Sequence, residues 1–531
     1  MALPLHERAR SPELDPIVRL SEGALALADV LDLPLIPGRI PGEGEQYRFH
    51  FDMTRCIGCR SCEVACNEQN GNPEEIRWRR IGEIEGGTYP DTQRLYLSMG
   101  CNHCVEPDCL KGCPVAAYTK DAATGIVLHS ADMCIGCQYC TWNCPYCVPQ
   151  YNPERGVVGK CDMCHGRLTE GFEPACVNAC PENAIQIEIV NTLDWLGNHA
   201  SADSPGMPSS GQTVSTTRIT LPETPQAFLA NANANRVVPE HPHWPLVFMT
   251  VMMQTVMGAL LFIAPSRQPQ PLMMTALLGV VMAALALSTF HLGRPAFAWR
   301  ALKMWRRSWL SREVLLFSLF AGALNAGTAV HWLLALGLFP AHVAALRLLL
   351  PVLNLSSLAL GVAGTLASSF IYLIKARPAW NTVHTPLDFL LSGVLSGTLF
   401  FRLMAEALLG WARFSGTPFA AVPEHLAWAT PVIQAAAVLW MANFAVRAAR
   451  MANSPVFELK ATASLLGGTL RKELFAGILP VVAGAMLSAA GNAPLAFAVT
   501  LFGLLVVRYL FFVSVVPLNM ALTFLNAEAR A

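Results

Sequence analysis

Sixteen of the seventeen cysteines fall into four groups, each able to offer four ligands. The first is Cys56-x2-Cys59-x2-Cys62-x3-Cys66, and the second is Cys101-x2-Cys104-x4-Cys109-x3-Cys113-Pro114. The third is Cys134-x2-Cys137-x2-Cys140-x3-Cys144-Pro145, and the last is Cys161-x2-Cys164-x11-Cys176-x3-Cys180-Pro181. A cubane presents four irons, each needing one thiolate. Cysteines three apart in a tight loop wrap three corners, and the fourth sits where the chain leaves the loop. The third group matches the bacterial ferredoxin run, whose last cysteine ligates the other cluster of a pair. Sixteen cysteines in four complete groups predict four [4Fe–4S] clusters, with no incomplete group to suggest a three-iron centre. Disulfides would suit a secreted chain, and Cys-x2-Cys pairs are crowded for bridging. Zinc ribbons use pairs of Cys-x2-Cys, not four-cysteine runs ending in Cys-Pro. Cys147, three residues after Cys144, reads as a small buried neighbour and not as a ligand.

The elements around these groups are polar, short-stranded and loop-rich, so the clusters take the place of a large hydrophobic core and couple ligation to folding. This predicts an α+β ferredoxin-like iron–sulfur domain over 46–197, built from two pseudo-repeated double-cluster modules. Residues 198–243, rich in Ser, Thr, Pro and Asn, read as a linker lying along the domain surface. Residues 1–45 form an extension of unassigned role. Glu22, Asp29 and Asp32 interrupt its best apolar stretch, so neither a secretory signal nor a twin-arginine pair is expected.

The 531 residues carry a formal charge of zero, but this is a cancellation. Residues 1–240 hold 18 basic and 30 acidic side chains, whereas 241–531 hold 19 and 7, with no cysteine. That excludes a single soluble globule, a disordered chain and a nucleic-acid binder with a basic face. A membrane-spanning helix needs about 20 mostly apolar residues. Eight candidates follow, at roughly 246–264, 272–292, 314–337, 346–374, 387–411, 426–447, 474–491 and 494–516. They predict an all-α eight-helix transmembrane bundle over 244–520 with a tail at 521–531, in a lipid bilayer. The last two candidates are separated only by Gly491-Asn492-Ala493-Pro494. Loops on the side of the cysteine domain carry thirteen Lys or Arg, against Arg267, Arg347 and Arg413 on the other. The positive-inside rule then puts the cysteine domain in the cytoplasm, on a bacterial inner (plasma) membrane.

Ionisable residues within spans usually face the bundle interior. Arg402 and Glu406, four apart, predict an internal ion pair, while Arg508 requires a partner that the sequence leaves unnamed. His331 and His342 flank one connection, where a bis-histidine haem is not expected.

The cysteine groups, with Lys160-Cys161-Asp162-Met163-Cys164 and Cys144-Pro145-Tyr146, resemble the electron-transfer subunit of dimethyl sulfoxide reductase-type molybdoenzymes. The membrane half resembles that family's anchor subunit through His243-Trp244-Pro245-Leu246, His291-Leu292-Gly293-Arg294-Pro295 and Ser308-Trp309-Leu310-Ser311-Arg312-Glu313. In the familiar arrangement these are separate polypeptides, so the protein looks like a natural fusion of both. The resemblance implies that group one pairs with group four, and group two with group three. The implied sets are Cys56, Cys59, Cys62 and Cys180; Cys161, Cys164, Cys176 and Cys66; Cys101, Cys104, Cys109 and Cys144; and Cys134, Cys137, Cys140 and Cys113. It also implies oxidation of membrane quinol (menaquinol or ubiquinol) at a site tied to His291 and Glu313.

Chemistry makes the same two residues attractive. Quinol oxidation releases two electrons and two protons, so its site needs a hydrogen-bonding group that accepts a proton, and His titrates near neutrality. Arg294 is a further candidate, for positioning a quinone oxygen. The expected function is a subunit that oxidises quinol and feeds a molybdopterin-containing catalytic subunit in anaerobic respiration, with substrate choice in that partner. A similar module could serve a formate, hydrogen, sulfite or nitrite enzyme, with electrons flowing into the quinone pool. A membrane transporter with a cysteine-rich metal-sensing domain is the non-redox alternative.

Overall fold

The structure, a computed structural model, describes residues 39–223, 229–231, 237–266, 268–415 and 425–518. Most of the 1–45 extension, the 521–531 tail, Arg267 and the side chain of Arg413 lie outside the described residues.

The cysteine-bearing half runs β1 (Glu45–Asp52), α1 (Ser61–Asn70), β2 (Arg80–Thr88), β3 (Asp91–Met99), α2 (Asp108–Gly112), β4 (Tyr118–Lys120) and β5 (Val127–His129). It continues with α3 (Tyr139–Asn143), β6 (Gln150–Asn152), β7 (Val157–Gly159), α4 (His165–Thr169), α5 (Ala175–Asn178), β8 (Ile185–Asn191) and α6 (Thr192–Asn198). β1 pairs antiparallel with β8, in a register that sets Phe51 opposite Ile185. Alternation along β1 buries Tyr47, Phe49 and Phe51 on one face, as a period of two requires. The stretch expected as a linker lies along this half and adds two strands to its sheets. β9 (Arg218–Thr220) pairs parallel with β1, and β10 (Ala230–Asn231) pairs antiparallel with β2.

The pseudo-repeat is visible in the backbone of the cysteine loops. Ile57-Gly58-Cys59-Arg60-Ser61-Cys62 and Ile135-Gly136-Cys137-Gln138-Tyr139-Cys140 each turn through a positive-φ glycine, Gly58 or Gly136, and then a positive-φ residue, Arg60 or Gln138. Each loop then opens a helix, α1 or α3, that carries its third cysteine. Two left-handed residues in six curl the chain tightly enough to hold three thiols around one centre.

Among its described residues the apolar half holds eight helices long and apolar enough to cross a membrane. They are α7 (Trp244–Ile263), α8 (Pro271–Phe290), α9 (Trp309–Ala335), α10 (Val343–Ile371), α11 (His384–Ser415) and α12 (Ala429–Ala452), followed, after the short helix α13 (Phe457–Gly467), by α14 (Arg471–Ala489) and α15 (Ala493–Val513). The count agrees with the sequence reading, and the close pair α14 and α15 is real. Asn492 ends the turn between them, its side chain accepting from the backbone N–H of Leu495 at 3.2 Å. α9 starts five residues before its expected apolar run, because Trp309–Glu313 is helical although it carries Ser311, Arg312 and Glu313. α13 replaces an expected loop, burying Ala461 and Leu465 against its neighbours.

α7 lies at the centre of the bundle and packs on α8, α10, α11 and α15. Its approach to α11 is backbone on backbone: a Cβ on Gly258 would lie 1.9 Å from the carbonyl oxygen of Gly393. Small residues at such crossings let helices meet in a membrane, where apolar burial supplies little drive.

Candidate functional site

No disulfide joins any two of the seventeen cysteines. Cys56, Cys59, Cys62 and Cys180 line one hollow together with Ile57, Ile81 and Pro181. Burial pushes the Cys66 thiol up to about 12, and its neighbours Cys176 and Cys164 add to the effect. Cys161 is buried beside Cys66 and Cys176, and Cys109 beside Cys144, Cys101 and Cys104. Cys140 is buried beside Cys137, Cys113 and Cys134. Each of the four implied sets is therefore drawn into one place. Thiols crowded and buried in this way stay protonated on their own, and a bound cationic iron group would supply the charge that ionises them. Four ligands of one zinc would converge at about 2.3 Å from the ion. No group of three or more His, Cys, Asp or Glu converges so closely among the described residues. Backbone N–H groups of Gly136, Met163 and Ala184 point at the sulfurs of Cys134, Cys161 and Cys180, at 3.3–3.4 Å. Thr213 Oγ1 donates to the sulfur of Cys104 at 3.1 Å. The donor sets and their hydrogen bonds fit iron–sulfur clusters.

The sets also stand in series. Cys62 neighbours Cys176, Cys161 neighbours Cys101, and buried Tyr118 neighbours both Cys109 and Cys140. At one end Cys59 is exposed; at the other, Cys137 reaches the apolar half.

The two halves meet on the motifs singled out in the sequence. The backbone N–H of Arg294 donates to the Ile135 carbonyl at 3.1 Å, in the loop that carries Cys134 and Cys137. Gly293 touches Gly156 and Gly136, and a Cβ there would lie 2.1 Å from the Gly156 carbonyl oxygen. Ser308 Oγ donates to the Gly112 carbonyl at 2.7 Å, and Ser311 Oγ to that of Pro114 at 3.3 Å, flanking Cys113. Tyr139 Oη donates to the Ile371 carbonyl at 3.0 Å. Trp142, between Cys140 and Cys144, enters an aromatic nest of His243, Tyr372, Trp380 and Phe512.

These contacts border a cavity of about 400 Å³. Its walls include His291 at the end of α8, Glu313 in α9, Cys137, Tyr139, Trp142 and Tyr372, with apolar side chains between them. Nδ1–H of His291 donates to the Ser288 carbonyl, which leaves Nε2 as the acceptor. The arrangement offers an apolar, ring-sized space with an imidazole and a carboxyl group, beside a sulfur of one cysteine set.

A family model described as DMSO reductase anchor subunit (DmsC) matches residues 239–512. The protein belongs to that family. A second model, 4Fe-4S dicluster domain, matches residues 92–189. One polypeptide is thus both an electron-transfer iron–sulfur subunit and a multi-pass membrane anchor. The iron–sulfur half is 40% identical over 158 residues to one of the polypeptides of the anaerobic dimethyl sulfoxide reductase of Haemophilus influenzae, covering 28% of this protein and 77% of that one. It is 36% identical over 171 residues to the formate dehydrogenase-O iron-sulfur subunit of Escherichia coli, covering 29% and 56%. It is also 35% identical over 155 residues to a subunit of the sulfite dehydrogenase of Allochromatium vinosum, covering 25% and 65%. The iron–sulfur half is thus common to several oxidoreductases, and the anchor half is what narrows the family.

Of the other singled-out residues, Arg294 does not line the cavity: its guanidinium donates to the Ala131 carbonyl at 2.8 Å and fastens the junction. Arg402 and Glu406 form the expected ion pair at 2.7 Å. The partner of Arg508 is Asp388, at 3.2 Å. His331 uses both ring nitrogens, accepting from the Gln270 N–H at 2.8 Å and meeting Asn354 Oδ1 at 3.1 Å. That leaves neither for a haem iron. The sequence reading missed Tyr139, Trp142 and Tyr372. An aromatic two residues after a cluster cysteine is a usable signal only once the cysteine loop is known to face the membrane half.

Proposed function

We propose that this protein oxidises membrane quinol, menaquinol or ubiquinol, in the cavity between His291 and Glu313. Four [4Fe–4S] clusters, when bound, supply one-electron carriers in series toward a molybdopterin catalytic subunit of the dimethyl sulfoxide reductase type. The observation that carries this reading is the cavity itself, which has His291, Glu313 and Cys137 in its lining. The four cysteine sets named above would hold the clusters, from the set of Cys137 at the cavity to the set of the exposed Cys59. His291 Nε2 accepts one hydroxyl proton of quinol, its orientation fixed through Nδ1 by Ser288. Glu313 takes the second, and Tyr139, Trp142 and Tyr372 close the space against water. Proton acceptors matched to a reacting hydroxyl contribute about 10²–10⁴-fold in rate.

His291→Ala and Glu313→Gln should each slow quinol-driven cluster reduction by about 10²-fold while dithionite reduces a full complement of clusters. Unchanged quinol-driven reduction in both variants would put the site elsewhere. The formate and sulfite relatives support a second reading of direction, with electrons entering the quinone pool. Purification with the native partner, followed by identification of its metal and substrate, separates the two.

A further inference from the structure

Trp142 has two sides. One lines the cavity of His291 and Glu313; the other lines a second, more polar cleft of about 510 Å³ between the two halves. That cleft is bordered by His243, His241, Glu240, Arg377, Gln138 and Thr141. His243 packs edge-on against Trp142, ring centroids 4.8 Å apart at 83°, and against Phe512 at 6.1 Å. It is half-buried, at the start of α7, whereas His241 is exposed at the cleft. Glu240 is fixed there by Arg377 at 3.0 Å and by its own N–H on the Val513 carbonyl at 2.8 Å.

A quinol site lined by apolar and aromatic side chains needs a way out for protons as well as for electrons. Electrons leave past Cys137, and the indole of Trp142 separates the reacting cavity from the water-facing cleft. Two imidazoles border the cleft among the described residues: His243 against the Trp142 partition, and His241 beyond it. Resting on the quinol reading above, we infer that His243 is the proton-relay residue carrying quinol protons from His291 to the cleft at His241 and Glu240.

The step balances without a co-reactant. The quinol hydroxyl proton moves to His291 Nε2, then to neutral His243, then to the cleft, and both imidazoles return to their starting state. Burial first, then the proximity of His291, His241 and Arg377, holds the His243 imidazole down at about 4. It is therefore neutral at working pH and passes a proton on without storing it. Protons would emerge on the side of the iron–sulfur domain.

The test uses the full-length protein in vesicles with a reduced quinone analogue. His243→Phe keeps the aromatic edge on Trp142 but removes the base. Expected are a fall of about 10–100-fold in quinol-driven cluster reduction, an unchanged KM for the quinol, an enlarged solvent isotope effect, and partial rescue by imidazole in the medium. His243→Gln should behave alike and serves if the Phe variant does not assemble. Wild-type rate and isotope effect in either variant would overturn the relay, as would a loss confined to KM or to cluster content. If His291→Ala is impaired and His243→Phe is not, only the relay fails; if neither is impaired, the quinol reading fails first.

Discussion

Two buried cations sit among the cysteine sets. Arg79 is 2% exposed, lies over the Phe49 ring at 4.5 Å and donates to Ser98 Oγ at 3.3 Å. Burial opposes its charge, and the sulfurs of Cys176, Cys62, Cys161 and Cys66 around it would offset that once ionised as cluster ligands. Lys160 is likewise buried, beside Cys101, Cys109 and Cys161, its ammonium donating to the carbonyls of Val127 and Cys161. Each cation thus bridges two sets. An added electron is attracted to such a charge, so removing it lowers the potential of the neighbouring centres. Arg79→Gln should shift the two clusters it touches downward by tens of millivolts, about 1 kcal/mol per electron, and leave the one at Cys137 unmoved. Redox titration followed by electron paramagnetic resonance checks this. Lys160 opens the Lys160-Cys161-Asp162-Met163-Cys164 motif, but nothing in its sequence neighbours announces that it is buried. That follows from strand pairings and loops up to sixty residues away, which spacing does not encode.

At the scale of elements, the cysteine runs and the spans were legible because ligand spacing and hydropathy are local. The junction was not, since it is made by contacts between residues more than a hundred apart. Gly293 illustrates this: its role is a close approach to Gly156 and Gly136. Gly293→Ala forces the turn between α8 and α9 off the cysteine loop, a misfit of about 1–3 kcal/mol. Quinol-driven cluster reduction should fall sharply while dithionite-driven reduction survives. The pairing of β1 with β8 carries a second prediction. Although burial opposes ionisation, His50, Arg48 and Arg218 hold the Glu188 carboxylate at about 2. A depressed carboxylate stabilises the fold above its unfolded value, about 4.3, and this contribution is lost as pH falls toward 2. Cluster bleaching of the wild-type protein should therefore accelerate between pH 5 and pH 2. Glu188→Gln should bleach faster already at pH 7 and gain less on acidification.

At the scale of the molecule, the opposed charges of the two halves suggest docking by ion pairs. The junction is made differently. Arg294, Arg300 and Arg307 donate to the backbone carbonyls of Ala131, Asp132 and Leu110. Between the apolar half and the residues preceding it, Arg377–Glu240 is the one ion pair among the described residues. Contacts of this kind are screened little by salt, so quinol-driven turnover should hold from low to high ionic strength. The thirteen basic residues of the facing loops still predict orientation. Protease added to sealed inside-out vesicles should degrade the iron–sulfur domain, and degradation in right-side-out vesicles instead would refute the cytoplasmic placement. Iron and sulfide analysis should give about sixteen of each per molecule; zinc in their place, without visible colour, would end the electron-transfer reading.

The continuity of the polypeptide through Glu240, anchored on Val513 and Arg377, changes the thermodynamics of the junction. Docking becomes intramolecular, at an effective concentration in the millimolar range for a short tether. A junction of carbonyl hydrogen bonds, apolar packing and one ion pair then closes without a bimolecular association step. Turnover per molecule in detergent should be independent of protein concentration down to nanomolar, where the same surfaces on two separate polypeptides would drift apart.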